Sequence, residues 1–145
     1  MKRGYFGLAL YRPKKHTNWG SLVRTARILD CSFIVAIGAR YPIQASDTQK
    51  VHRHLPIYEF ETFEEFEQFM PKIDCRLVGI ELDDRAKELR DFVHPERAIY
   101  LLGAEDSGLP PKIMDKCSQL VKLKGDYSMN VACAGSIVLY HRQAL

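Results

Sequence analysis

Three short stretches hold most of the polar residues that are placed to do chemistry. They are Asn18-Trp19-Gly20-Ser21-Leu22-Val23-Arg24-Thr25-Ala26, Leu102-Gly103-Ala104-Glu105-Asp106-Ser107-Gly108-Leu109-Pro110 and Ser128-Met129-Asn130-Val131-Ala132. Each sits where a helix is due to begin, with polar groups beside glycine or other small residues. Gly103, after an apolar run, lets a ligand approach the backbone closely. Glu105 and Asp106 follow in the turn, where a coming helix presents its positive end. In a helix starting near Asn18, positions 20 and 24 share a face, with Asn18 at its mouth. Arg24 stands among Leu22, Val23 and Ala26, so partial burial is expected, and a buried arginine needs a partner or a job. That job is either a structural salt bridge or a cation for a phosphate or a developing oxyanion. Ser128 fits an N-cap. Asn130, within the first turn, has no core purpose.

The elements that must position these groups alternate. Residues 5–11 and 33–37 read as buried strands, from their continuous apolar runs. Between them Leu22, Val23, Ala26 and Leu29 recur at helical spacing, capped by Thr17 or Asn18. Residues 39–56 suggest a loop with a short helix around 47–54. Residues 57–60 form a short strand, and Thr62 caps a helix with Phe63, Phe66, Phe69 and Met70 on one face. Residues 76–82 and 97–102 are strands, with an irregular loop over 83–95. Pro110 and Pro111 open a helix to about Cys117, 120–123 is a last short strand, and 129–145 a long apolar helix. The alternation implies an α/β domain with a mainly parallel sheet and helices on both faces. Ligands in such sheets collect beyond the C-terminal strand ends, which is where the second and third stretches lie.

With 145 residues, 46% of them hydrophobic and 27% charged, a single domain over residues 1–145 is expected. No apolar run is long enough for a signal h-region or a membrane span, so a cytoplasmic location is expected. Cys31, Cys75, Cys117 and Cys133 form no C-x-x-C pair; they read as reduced core or half-core thiols, with no metal site. The net charge of +3 is unevenly spread. Residues 1–54 hold ten Lys or Arg against two Asp or Glu; residues 55–106 hold six against fourteen. The basic third either forms a face for a polyanion or is scattered solvated charge; Arg and Lys beside the first stretch favour the former. A Rossmann-type nucleotide site is disfavoured, because Arg12-Pro13-Lys14 follows the first strand where G-x-G would stand. No G-K-[ST] occurs either.

In this order and spacing the three stretches resemble the motifs of the SpoU branch of the SPOUT RNA methyltransferases. Asn-x-Gly-x-x-x-Arg is matched by Asn18, Gly20 and Arg24; Gly-x-Glu-x-x-Gly-Leu by Gly103, Glu105, Gly108 and Leu109; Ser-Leu/Met-Asn-Val-Ala by residues 128–132. The chain is similar in plan to the short tRNA ribose methylases that act near the anticodon wobble position. The resemblance implies 2′-O-methylation of RNA ribose from S-adenosyl-L-methionine, a C-terminal trefoil knot and a homodimer. It implies that Arg24 acts on the 2′-hydroxyl while Asn18, Glu105, Ser128 and Asn130 position it and the nucleotide. Cofactor contacts are implied at Ile80, Glu81, Leu102, Gly103, Leu123, Ser128 and Met129, largely through backbone. With no separate RNA domain, Lys14, Lys15, Arg24, Arg40, Lys50 and Arg53 are the candidate RNA contacts, and tRNA the favoured substrate. A ribosomal RNA methylase and a non-catalytic RNA-binding protein of the same fold are the alternatives. The sequence departs from the pattern in a short 123–128 loop, in Lys124 where a proline is usual, and in Tyr140-His141 where Tyr-Glu is common.

Overall fold

The structure, a computed structural model, describes residues 4–14, 16–39, 55–105, 107–125 and 129–144. Its strands are β1 (Tyr5–Tyr11), β2 (Phe33–Ile37), β3 (Ile57–Phe60), β4 (Arg76–Ile80), β5 (Lys87–Glu88), β6 (Arg97–Leu102) and β7 (Gln119–Lys122). Its α-helices are α1 (His16–Ile28), α2 (Phe63–Phe69), α3 (Pro111–Met114) and α4 (Val131–Ala144). All strand pairs are parallel, in the order β3-β2-β1-β6-β4-β7-β5. Successive side chains leave a strand on opposite faces. Phe6, Leu8 and Leu10 therefore join Tyr100, Leu102 and the buried residues of α1 and α4 in one core. Ala9, Val35, Ile99 and Leu101 join Phe63 and Phe66 of α2 and Ile113 of α3 in another. The two cores explain why β1, β2 and β6 are apolar without alternation: both their faces are covered.

α1 and α4 lie side by side. A Cβ on Gly135 of α4 would come within 2.5 Å of Leu22 Cδ2 and 2.8 Å of Leu102 Cδ1, so glycine allows this approach without displacing either leucine methyl. α2 begins as expected, with Thr62 Oγ1 accepting the Glu65 N–H at 3.2 Å. Other boundaries differ from expectation. α1 already includes His16, which puts Asn18 in its first turn rather than at its cap. α3 stops at Met114. The loop after β4 contains the two-residue strand β5, which pairs with β7. α4 starts at Val131 because Asn130 is its cap: Asn130 Oδ1 accepts the N–H groups of Ala132 at 2.9 Å and Cys133 at 3.2 Å. Asn130 thus has a structural purpose, and Ser128, expected to be the cap, lies outside the described residues. The expected helix at 47–54 also lies outside them. Cys133 is exposed, contrary to the core or half-core expectation; Cys31 is buried and Cys75 and Cys117 are intermediate. No helix among the described residues is long and apolar enough to cross a membrane.

The last turn of α4 buries an arginine that the apolar pattern did not announce. Arg142, 4% exposed, donates to Pro95 O at 2.7 Å, Glu96 O at 2.8 Å and Tyr100 Oη at 2.9 Å. Its guanidinium lies 4.6 Å from the Phe6 ring centroid. Beside it His94 pairs with Tyr100 Oη at 2.7 Å and with His141 Nδ1 at 2.8 Å. Burial, then His141, then Arg142 hold the His94 imidazole neutral, with its pKa lowered from 6.5 to about 4. The unfolded chain binds this proton at higher pH than the folded one. Stability is therefore complete above pH 6.5 and lost as pH falls toward 4. Melting temperature should decline over that window, and His94→Gln should flatten the decline. An equally steep acid profile in His94→Gln would place the proton uptake elsewhere.

Candidate active site

The C-terminal ends of β4, β6 and β7 open on a cavity of about 270 Å³. Ile80, Leu102, Leu123, Met129, Val131 and Ala134 give it apolar wall; Glu81, Glu105, Lys122 and Lys124 give it charge. It lies where parallel sheets collect ligands, and its volume is close to the ~300 Å³ lower end of small-molecule pockets. Of the expected cofactor contacts, Ile80, Glu81, Leu102, Gly103, Leu123 and Met129 line it. Ser128 lies outside the described residues.

The loop after β6 forms the floor. It folds back on itself, with Ala104 bridging Gly108 and Gly108 N donating to Ala104 O at 2.9 Å. A Cβ on Gly103 would collide with the Gly108 carbonyl carbon and the Leu109 nitrogen. Gly108 has φ +65°, and a Cβ there would collide with the Glu81 carboxylate. Both glycines are thus demanded by the loop. Gly103→Ala must push the loop outward, an overpacking change of about 1–3 kcal/mol. The expected result is a loss of at least tenfold in cavity-ligand affinity, read by calorimetry, with a lower melting temperature.

Hydrogen bonds join the three sequence stretches. Asn130 Nδ2 donates to Asn18 Oδ1 at 3.2 Å, and Asn18 Nδ2 to Glu105 Oε1 at 3.4 Å. Glu105 Oε2 accepts the Lys14 backbone N–H at 3.2 Å, which ties the β1–α1 loop to the same carboxylate. Asn18 is 7% exposed and Glu105 half-buried. The amide–amide–carboxylate chain holds Glu105 at the cavity rim while Asn130 caps α4, so one set of side chains sets both the rim and the helix start.

Arg24 is exposed, which overturns the expectation of partial burial. Leu22, Val23 and Ala26 turn inward and carry α1 against the sheet. Arg24 shares the outer side of the helix with Ser21 and Ile28, which is 70% exposed. Of the expected RNA contacts, Lys14 is half-buried; Lys15, Arg40, Lys50 and Arg53 lie outside the described residues. Sequence reasoning missed Lys122 and Leu82 as cavity residues and noted Lys124 only as a departure. Glu81, expected in a set of contacts made largely through backbone, lines the cavity, and its carboxylate accepts the Leu109 and Leu82 N–H groups. The available signal was position: each lies at or just beyond a strand end on the ligand-collecting edge.

The model of the SpoU rRNA Methylase family matches residues 5–140. A curated tRNA (cytidine(34)-2′-O)-methyltransferase of Ancylobacter novellus is 26% identical, over 91% of this chain and 87% of its own length. The AdoMet-bound rRNA methyltransferase from Sinorhizobium meliloti superposes with a TM-score of 0.87 at 22% identity, over 99% of this chain. This chain spans 57% of that one. A structure solved to explain 2-OH methylation of C/U34 on tRNA superposes with a TM-score of 0.79 at 22% identity, over 96% of this chain and 94% of the other. At these identities the superpositions speak for the fold.

Proposed function

Because this chain belongs to the SpoU rRNA methylase family, we propose that it is an RNA 2′-O-ribose methyltransferase that uses S-adenosyl-L-methionine. The observation that carries this reading is convergence. Asn18, Glu105 and Asn130, from three separate stretches, form one hydrogen-bonded chain at the rim of a cavity. The cavity fits the cofactor by the chemistry of its lining: apolar wall for a flat base, carboxylates and lysines for hydroxyls and an amino-acid tail. Ile80, Glu81, Leu102, Gly103, Leu123 and Met129 hold it there, with Ser128 completing the set. When bound, it supplies an electrophilic methyl group.

The protein's own part is to position a ribose and manage its proton. A 2′-hydroxyl is a poor nucleophile until it loses that proton. An arginine guanidinium stays protonated and so cannot take it. The role of Arg24 is to hold a phosphate and stabilise the developing alkoxide. Exposure suits this: the guanidinium is offered to an incoming polyanion rather than tied up inside. Asn18, Glu105, Ser128 and Asn130 orient the nucleotide.

The substrate is tRNA near the anticodon wobble position. The similarity to the Ancylobacter novellus tRNA (cytidine(34)-2′-O)-methyltransferase over most of both chains supports this. Lys14, Lys15, Arg40, Lys50 and Arg53 supply phosphate contacts, which give salt-dependent affinity with little sequence reading. An unstacked nucleotide in a folded loop supplies the specificity. The protein works in the cytoplasm as a homodimer, and its C-terminal segment carries the trefoil knot that the resemblance implies. Ile28 of α1 and Ile137 and Tyr140 of α4, all exposed, support a two-fold interface across these helices. Light scattering at micromolar concentration should return twice the 16.7 kDa chain mass.

Calorimetry with S-adenosyl-L-homocysteine, followed by mass spectrometry of RNA from cells with and without the protein, tests the reading. Binding in the micromolar range and loss of one tRNA ribose methyl are expected. No binding at millimolar ligand removes the enzyme. A methyl lost only from ribosomal RNA moves the substrate and keeps the chemistry.

A further inference from the structure

Glu81 stands at the C-terminal end of β4, where its backbone N–H bonds Val121 O at 3.1 Å. Its side chain is fixed by two backbone donors. Oε2 accepts the Leu109 N–H at 2.8 Å, and Oε1 accepts the Leu82 N–H at 3.1 Å. Gly108 makes room for this, since a Cβ there would strike the carboxylate. An ionised carboxylate offers about four acceptor positions. The two N–H groups fill one on each oxygen and leave one on each, in a residue that lines the cavity. Two adjacent acceptors, held rigid before any ligand arrives, match two adjacent hydroxyl donors. Glu105, the other carboxylate on this cavity among the described residues, instead bonds Asn18 and the Lys14 N–H.

We propose that the Glu81 carboxylate accepts hydrogen bonds from the vicinal ribose hydroxyls of the adenosyl cofactor. This rests on the reading that the cavity holds that cofactor. The carboxylate has two duties. It clamps the Gly103–Leu109 loop from below, and it reads the ribose from the same fixed position, so little ordering is left to do on binding. An acidic residue beyond a strand end serves a ribose in dinucleotide-binding sheets by the same chemistry.

The test is calorimetry with S-adenosyl-L-homocysteine and its 2′-deoxy and 3′-deoxy analogues. Each is titrated into the parent protein, Glu81→Gln and Glu81→Ala. The parent should lose on the order of tenfold in affinity for each missing hydroxyl, as for a hydrogen bond to a charged group. Glu81→Ala should bind the full ligand at least tenfold more weakly and no longer distinguish the analogues. Glu81→Gln, which keeps the shape and one acceptor, should fall between. Equal deoxy penalties in parent and variants would give the hydroxyls to another group and leave Glu81 as a loop clamp alone. No deoxy penalty in the parent overturns the proposal without any variant having to fold. Failure of the parent to bind S-adenosyl-L-homocysteine at all strikes the cofactor reading itself, and this proposal with it.

Discussion

Arg24→Ala will bind S-adenosyl-L-homocysteine as the parent does and transfer methyl groups on the order of 10²-fold more slowly, or worse. That is the effect of removing one preorganised electrostatic stabiliser from a transition state. The separation of the two effects follows from position. Arg24 is exposed on α1 and is not among the residues that line the cavity, so its removal leaves the cofactor's surroundings alone. Surface substitutions of this kind change stability within about ±0.5 kcal/mol, so slow turnover cannot be blamed on unfolding. Arg24→Lys should rescue poorly, because the planar fork that holds a phosphate by two bonds is lost. Single-turnover rates at saturating cofactor are the measurement. Turnover near the parent value in Arg24→Ala would assign the alkoxide to another group.

Arg142→Met should lower folding stability by about 2 kcal/mol. The methionine fills the space beside Phe6 but takes the donor from Pro95 O, while Glu96 O keeps the Tyr5 N–H at 3.0 Å and Tyr100 Oη keeps His94 at 2.7 Å. One buried acceptor left unsatisfied costs about 1–3 kcal/mol. A urea midpoint shifted at unchanged slope would report this as a true stability change. The same variant should soften the acid profile, since Arg142 is one of the charges that hold His94 neutral. A loss under about 1 kcal/mol would mean that the last turn of α4 is held by its apolar face alone.

Much of the fold could be read in the chain because the physics there is local. Continuous apolar runs at 5–11, 33–37 and 97–102 became the strands buried on both faces, and Thr62 caps α2 as its side chain requires. Ile80, Leu102, Gly103, Leu123 and Met129 are expected from the family resemblance, and all five line the cavity. All but Met129 stand at or just past strand ends, which parallel pairing puts on one edge of the sheet.

Burial and pairing were not legible, because they depend on what lies opposite. Arg24 reads as half-buried from its apolar neighbours, yet it points outward. Those neighbours turn inward onto the sheet, and a helix shows one face to the core and the other to water. Asn130 reads as a residue without a core purpose; its Oδ1 caps α4 locally, and only the path of the chain brings Asn18 to its Nδ2. Glu81 is expected only as one of a set of contacts made largely through backbone, and Arg142 is not singled out. Their meaning comes from the Leu109 N–H, 28 residues away, and the Glu96 carbonyl, 46 residues away. Residue type and spacing set which groups are available and on which edge of the sheet. Which of them meet, and which face water, is decided only when distant backbone segments close around them and each polar group must find a partner in the space that remains.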